Sequence, residues 1–178
     1  MGCETSLSEL LTEYERALAY TDALWRDLGD DELLWRPHEE SSAIGWHLGH
    51  QAAVAHFMIR NLTAAEPSPD PDLDGLMDSA TPERQRGVLP PVERIDGYRR
   101  AVTERVRVRI GAIEAGDVGA PDQLRRIAST LLVAIINHEY QHDQWIGEVR
   151  NEALGHPLPE RPTSALLTTL DGYLVLTG

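Results

Sequence analysis

Lysine is absent from this chain of 178 residues, and all 16 basic side chains are arginine. Against 29 acidic residues they leave a formal net charge of −13. Such a surface repels phosphate backbones and acidic lipid headgroups, so neither a nucleic-acid partner nor an anionic membrane is expected. The missing lysine itself fits a GC-rich coding genome rather than any function. With no apolar run long enough to span a bilayer, neither a membrane span nor a signal peptide is expected. A single cysteine, Cys3, excludes an internal disulfide and fits a reducing cytoplasm. What remains is ordinary: 42% hydrophobic and 25% charged residues, the composition of one globular domain with a full-sized core.

Two short motifs carry little. Gly2-Cys3 fits the loose pattern for dual acylation. No polybasic patch follows it, however, and Ser6 with Glu9 reads as a capping box for a first helix. Asn61-Leu62-Thr63 fits a glycosylation sequon, which means nothing without a route to secretion.

Helical periodicity organises the rest. Leu7, Leu10, Leu11, Tyr14, Leu18, Thr21, Leu24, Trp25 and Leu28 make one stripe, so a first helix is expected over 7–28, closed by Gly29. A second is expected over 41–62, capped by Ser41 or Ser42 and apolar enough for burial on more than one side. The acidic, proline-rich 64–90 connection follows, with a helical turn starting at Thr81-Pro82-Glu83. Val92, Ile95, Arg99, Val102, Val106, Ile110 and Ile113 predict a third helix over 91–115. A fourth is expected over 121–150, capped by Asp122. After residue 153 come Pro157, Pro159 and Pro162, a turn near Ser164, and an extended Tyr173-Leu174-Val175-Leu176 packing on the bundle or on a second subunit. The expected fold is all-α: one domain over 1–178, a four-helix bundle over 7–153 with a long loop between helices two and three and a C-terminal extension over 154–178.

The fourth helix holds the chemistry. Leu124, Ile127, Leu131, Ile135, His138, His142, Trp145 and Val149 share a stripe that starts aliphatic and turns to imidazole. A buried imidazole needs a partner. Helix positions four apart have Cβ atoms roughly 5–6 Å apart, so two rings can meet on one ion at about 2.0–2.1 Å from each. For a third ligand His50 is preferred, central on the arc of Ala43, Trp46, Ala53, Val54 and Phe57. His47 and His56 read as helix-edge or solvated rings, and His38 and His156 as exposed. His138-Glu139-Tyr140-Gln141-His142 also spells the zinc-protease signature with Glu139 as base. A protease is not expected, because the metzincin continuation is missing.

Trp35-Arg36-Pro37, Ser42-Ala43-Ile44-Gly45-Trp46-His47-Leu48-Gly49-His50 and His138-Glu139-Tyr140-Gln141-His142-Asp143 together resemble the DinB/YfiT superfamily of metal-binding bundles. They are most similar to the branch forming the amino-terminal domain of ergothioneine sulfoxide synthases. The resemblance covers about residues 7–153 and implies His50, His138 and His142 as ligands. It implies no DNA binding, in keeping with the acidic charge. Sulfoxide synthases add a larger catalytic domain for which this chain has no room, so sulfoxide synthesis is not expected. Other relatives are thiol-dependent enzymes using mycothiol or bacillithiol.

Three neutral imidazoles leave coordination positions open, as in catalytic sites. The first expectation is a metal-dependent S-transferase, mycothiol-type, joining a small-molecule thiol to an electrophilic substrate. It would use one divalent ion, zinc favoured over iron(II) or nickel. Glu139 is the candidate base. Gln141 and Asp143 would support the ligands, while Tyr14, Trp46, Tyr98, Arg99 and Trp145 would shape the pocket, Arg99 as an anion anchor. An iron oxidative enzyme and a non-catalytic metal-binding protein are the alternatives. A homodimer is expected by base rate and from the apolar tail.

Overall fold

Glycine and proline set the breaks between elements, and the apolar stripes set which elements meet. A computed structural model describes residues 5–62 and 66–177. They form α1 (Leu7–Trp25), α2 (Asp30–Leu34), α3 (Ile44–Ile59), α4 (Pro71–Leu76), α5 (Val92–Ala115) and α6 (Pro121–Glu148). A 3-10 turn (Glu83–Gln85) precedes α5, and a π-helical turn (Val149–Ala153) extends α6. Strands β1 (Leu167–Leu170) and β2 (Tyr173–Leu176) follow. The all-α bundle is present as α1, α3, α5 and α6, with α1 packed on α6 and α3 on both α5 and α6. Gly2, Cys3 and Thr63 of the sequon lie outside the described residues. Among the described residues no helix is long and apolar enough to cross a membrane.

Helix ends depart from expectation for local reasons. Ser6 and Glu9 do form the capping box: Ser6 Oγ accepts from the Glu9 N–H at 3.2 Å, and Glu9 from the Ser6 N–H at 2.9 Å. But α1 stops at Trp25, and Gly29 opens α2 instead of closing α1. Asp30, Asp31 and Glu32 occupy the first turn of α2, where the helix dipole favours carboxylates. Neither Ser41 nor Ser42 caps α3, whose N-cap is Ala43. Ser41 instead donates to the His38 carbonyl at 2.7 Å, and Ser42 accepts from Arg86 at 3.3 Å. Ala120, not Asp122, is the N-cap of α6, since Pro121 takes the first helical position that its fixed φ suits.

The described part of the connection between α3 and α5, residues 66–90, is a strap across α3, not a bare loop. Gly45 and Gly49 lie one turn apart and open a groove there. A Cβ added at Gly45 would come within 2.8 Å of Leu89 Cδ1, and one at Gly49 within 2.5 Å of Met77 Sδ. Each helical glycine costs roughly 1 kcal/mol relative to alanine, here offset by the strap's close approach. Asp70 caps α4, accepting from the Leu73 N–H at 3.2 Å, and takes Arg94 of α5 at 2.7 Å.

At the far end of α6, Arg150 ties three segments together. It donates to Asp27 at 2.6 and 2.8 Å, to the Leu24 carbonyl at 3.0 Å and to the Pro157 carbonyl at 2.8 Å. The tail then makes an antiparallel hairpin, Leu167 facing Leu176 and Leu170 facing Tyr173. Asp171 and Gly172 turn it with φ of 51° and 89°, the two positive values a tight hairpin turn requires. Asn137 of α6 grips β2, accepting from the Leu176 N–H at 2.7 Å. The extended 173–176 stretch therefore packs on the bundle, with a partner strand that the sequence reading lacked.

Candidate metal centre

Spacing on two helices creates the site. His138 and His142 stand one turn apart on α6, and His50 projects from α3 opposite them. One ring nitrogen from each lies within 4.8 Å of the other two. Ring centroids are 4.4 Å apart for His138 and His142, 4.8 Å for His50 and His142, and 5.1 Å for His50 and His138.

The rings are held neutral and in a defined orientation. The Met77 carbonyl can only accept, so His50 Nδ1 carries the proton of their 2.6 Å hydrogen bond. That leaves His50 Nε2 with a free lone pair. Burial pushes His138 down to about 4 and His142 lower still, because desolvation disfavours an imidazolium. Burial likewise lowers His50. Three uncharged imidazoles with converging nitrogens are the donor set a divalent cation takes. The residues fit the ion that their spacing implies, and the strap, through Met77, helps aim one of them.

Aromatic walls enclose the rings. Trp46 stacks on His50 at 4.5 Å and 13° between planes, its indole N–H donating to the Leu76 carbonyl at 3.1 Å. Trp145 meets His142 edge-on at 4.8 Å. A cleft of about 450 Å³ opens above, lined in part by Trp46, His47, His50, Arg86, His142 and Trp145. The Arg86 guanidinium lies 4.1 Å above the Trp46 ring. The carbonyls of Ser79 and Thr81 fix it at 2.8 and 2.9 Å. Its charge adds to the burial that depresses His47, His50 and His142.

The profile of the DinB superfamily matches residues 13–146, a span holding all three converging histidines. The chain belongs to the DinB superfamily. Among curated proteins none matches it.

Several residues expected in the pocket of this DinB domain lie elsewhere. Glu139 turns into the bundle and is 2% exposed. It accepts from Arg99 at 2.8 Å and from Thr21 at 2.7 Å. Arg99 is no free anion anchor, since it also donates to the Leu48 carbonyl at 2.8 Å and to Gln51 at 3.0 Å. Asp143 takes Gln51 at 3.0 Å and shares the Thr21 hydroxyl at 2.8 Å, backing the core and not the rings. Burial and the neighbouring Glu139 carboxylate push Asp143 well up. Tyr14 is buried beside the same charges, and burial raises it. Tyr98 anchors the strap, its hydroxyl donating to Asp74. Gln141 is exposed, because one residue from His142 is about 100° around the helix.

Three histidines were misplaced by the sequence reading. His47 is 8% and His56 2% exposed, neither solvated. His156 is half-buried and paired with Glu32 at 2.6 Å. His47 and Arg86 line the cleft beside the cluster, a placement that sequence reasoning missed. For His47 a faint signal existed, its place one turn before His50. For Arg86 there was none, since a loop brings it over Trp46.

Proposed function

We propose that this chain is a metal-dependent enzyme that couples a small thiol to an electrophile, the S-transferase chemistry of the thiol-using bundles it resembles. The observation that carries this is the convergence of His50, His138 and His142, two of which, His50 and His142, line an aromatic-walled cleft. A divalent ion held there, zinc first among the choices, would lower the pKa of a coordinated thiol toward neutrality. The chain's own residues supply the rest. Trp46 and Trp145 form apolar walls that keep water from a bound substrate. Arg86 places a fixed positive charge at the cleft, which favours an anionic reactant such as a thiolate. Glu139, already satisfied by Arg99 and Thr21, serves as an anchor of α6 and not as the base.

The test is turnover of a low-molecular-weight thiol with a small alkyl electrophile, by protein loaded with zinc or, anaerobically, with iron(II). Mycothiol and a simpler monothiol are compared. Activity with zinc that disappears in His50→Ala is the expected result. Oxygen uptake with iron(II) alone would make the site oxidative, and tight metal binding without either reaction would make the protein a metal carrier.

A further inference from the structure

A fourth imidazole stands behind the cluster. His47 Nδ1 lies 2.8 Å from His142 Nδ1, yet His47 is not among the rings whose nitrogens meet within 4.8 Å. Its ring is packed on two sides, edge-on to Trp46 at 5.6 Å and tilted against Trp145 at 5.8 Å.

Two neutral imidazoles that face each other through the same nitrogen must be opposite tautomers, one donating and one accepting. His142 has one N–H to place. If it keeps Nε2 bare for a cation, Nδ1 carries the proton and His47 Nδ1 accepts it. We propose that His47 is a positioning residue: it accepts the hydrogen bond from His142 Nδ1, locks that ring's tautomer and angle, and so sets metal affinity without touching the ion. This depends on the three-ring cation site proposed above. His47 would then do for His142 what the Met77 carbonyl does for His50. Each of these two rings is held from behind by an acceptor, the arrangement that makes an imidazole a better and better-aimed donor.

The experiment titrates Zn²⁺ against a chelator in the wild type, His47→Phe and His47→Gln. In parallel, nitrogen-15 NMR of the zinc-loaded wild type reads the histidine tautomers, and X-ray absorption counts imidazoles on the ion. Expected are one zinc per chain throughout, about a 10–100-fold weaker dissociation constant in His47→Phe, and an intermediate loss in His47→Gln, whose amide oxygen can accept. His142 should be protonated on Nδ1 and His47 bare there. Equal affinity in His47→Phe, the reverse tautomers, or an imidazole count that falls by one on replacement each overturns the proposal. Should the phenylalanine variant not fold, the wild-type tautomers decide. A wild type that takes up no zinc removes the three-ring site itself, and this inference with it, which is a different failure from a variant that binds as well as the parent.

Discussion

Two neighbouring stripes of α6 handle buried polarity in opposite ways. One carries His138 and His142; the other, one residue on, carries Glu139 and Asp143. The carboxylate stripe is the more central: Glu139 and Asp143 are 2% and 1% exposed and continue the line of Ala128, Leu132 and Ile136, each at 0%. Its members meet partners inside the bundle, Arg99, Thr21 and Gln51, and one acidic oxygen, Asp143 Oδ2, has none among the described residues. The imidazole stripe reaches the cleft through His142, and there ring nitrogens converge with that of His50. Buried polar groups with matched partners build a specific core, whereas like groups aimed together leave a place for something else. The difference leaves one face satisfied within the core and the other with three imidazoles that could hold a metal ion.

Breaking the carboxylate face should cost the most. Arg99→Met leaves the Glu139 carboxyl buried without its ion-pair partner, and removing one member of a buried pair costs about 3–5 kcal/mol. Urea unfolding at neutral pH should show that loss. The double variant Arg99→Met/Glu139→Leu should recover much of it, because the carboxyl left without its partner is gone. A small loss in Arg99→Met would mean that this face is not the bundle's polar anchor.

How much of this could be read from the sequence depends on how far each contact lies from its own helix. The pair His138 and His142 was legible because four residues bring two rings to one side of α6. His50 was legible from its place among the apolar residues of α3. The buried stripe lies one position on from the expected one: Ala128 is fully buried, while Ile127, expected in the stripe, is 42% exposed. Glu139, Asp143 and Arg150 look like surface residues, and only partners on α1, α3 and the tail make them core. His47 meets His142 through the mutual rotation of α3 and α6, which no single-helix pattern contains. Asp171-Gly172 is a hairpin signal, but only Tyr173–Leu176 is expected to be extended, and its partner strand Leu167–Leu170 falls where a turn is expected after Ser164.

Breaking the imidazole face should cost little in the metal-free protein and show only when an ion is present. At a zinc concentration one hundred times its dissociation constant, binding to the folded state alone adds about 2.7 kcal/mol to stability. The wild type should gain that amount in urea unfolding, while His138→Ala should gain close to none. Equal stabilisation of the two proteins would place the zinc elsewhere and erase the contrast between the stripes.

The smallest effect tests the protonation of the carboxylate face. Folded Asp143 is pushed up by burial and then by Glu139, so the proton it holds in the bundle is lost on unfolding above an ordinary carboxyl pKa of about 3.9. Its contribution to stability is therefore full below that pH and lost as pH rises toward the folded value. Asp143→Asn carries no such dependence and keeps an oxygen to accept from Gln51 and Thr21. Near pH 4 the variant should match or fall slightly below the parent, with Asn Nδ2 where Oδ2 has no partner. As pH rises to 7 the difference should move steadily in favour of asparagine. Paired unfolding curves at pH 4, 5.5 and 7 read the trend directly. A difference that moves the other way would mean that Asp143 is ionised in the folded bundle, and that Arg99 balances two charges instead of one.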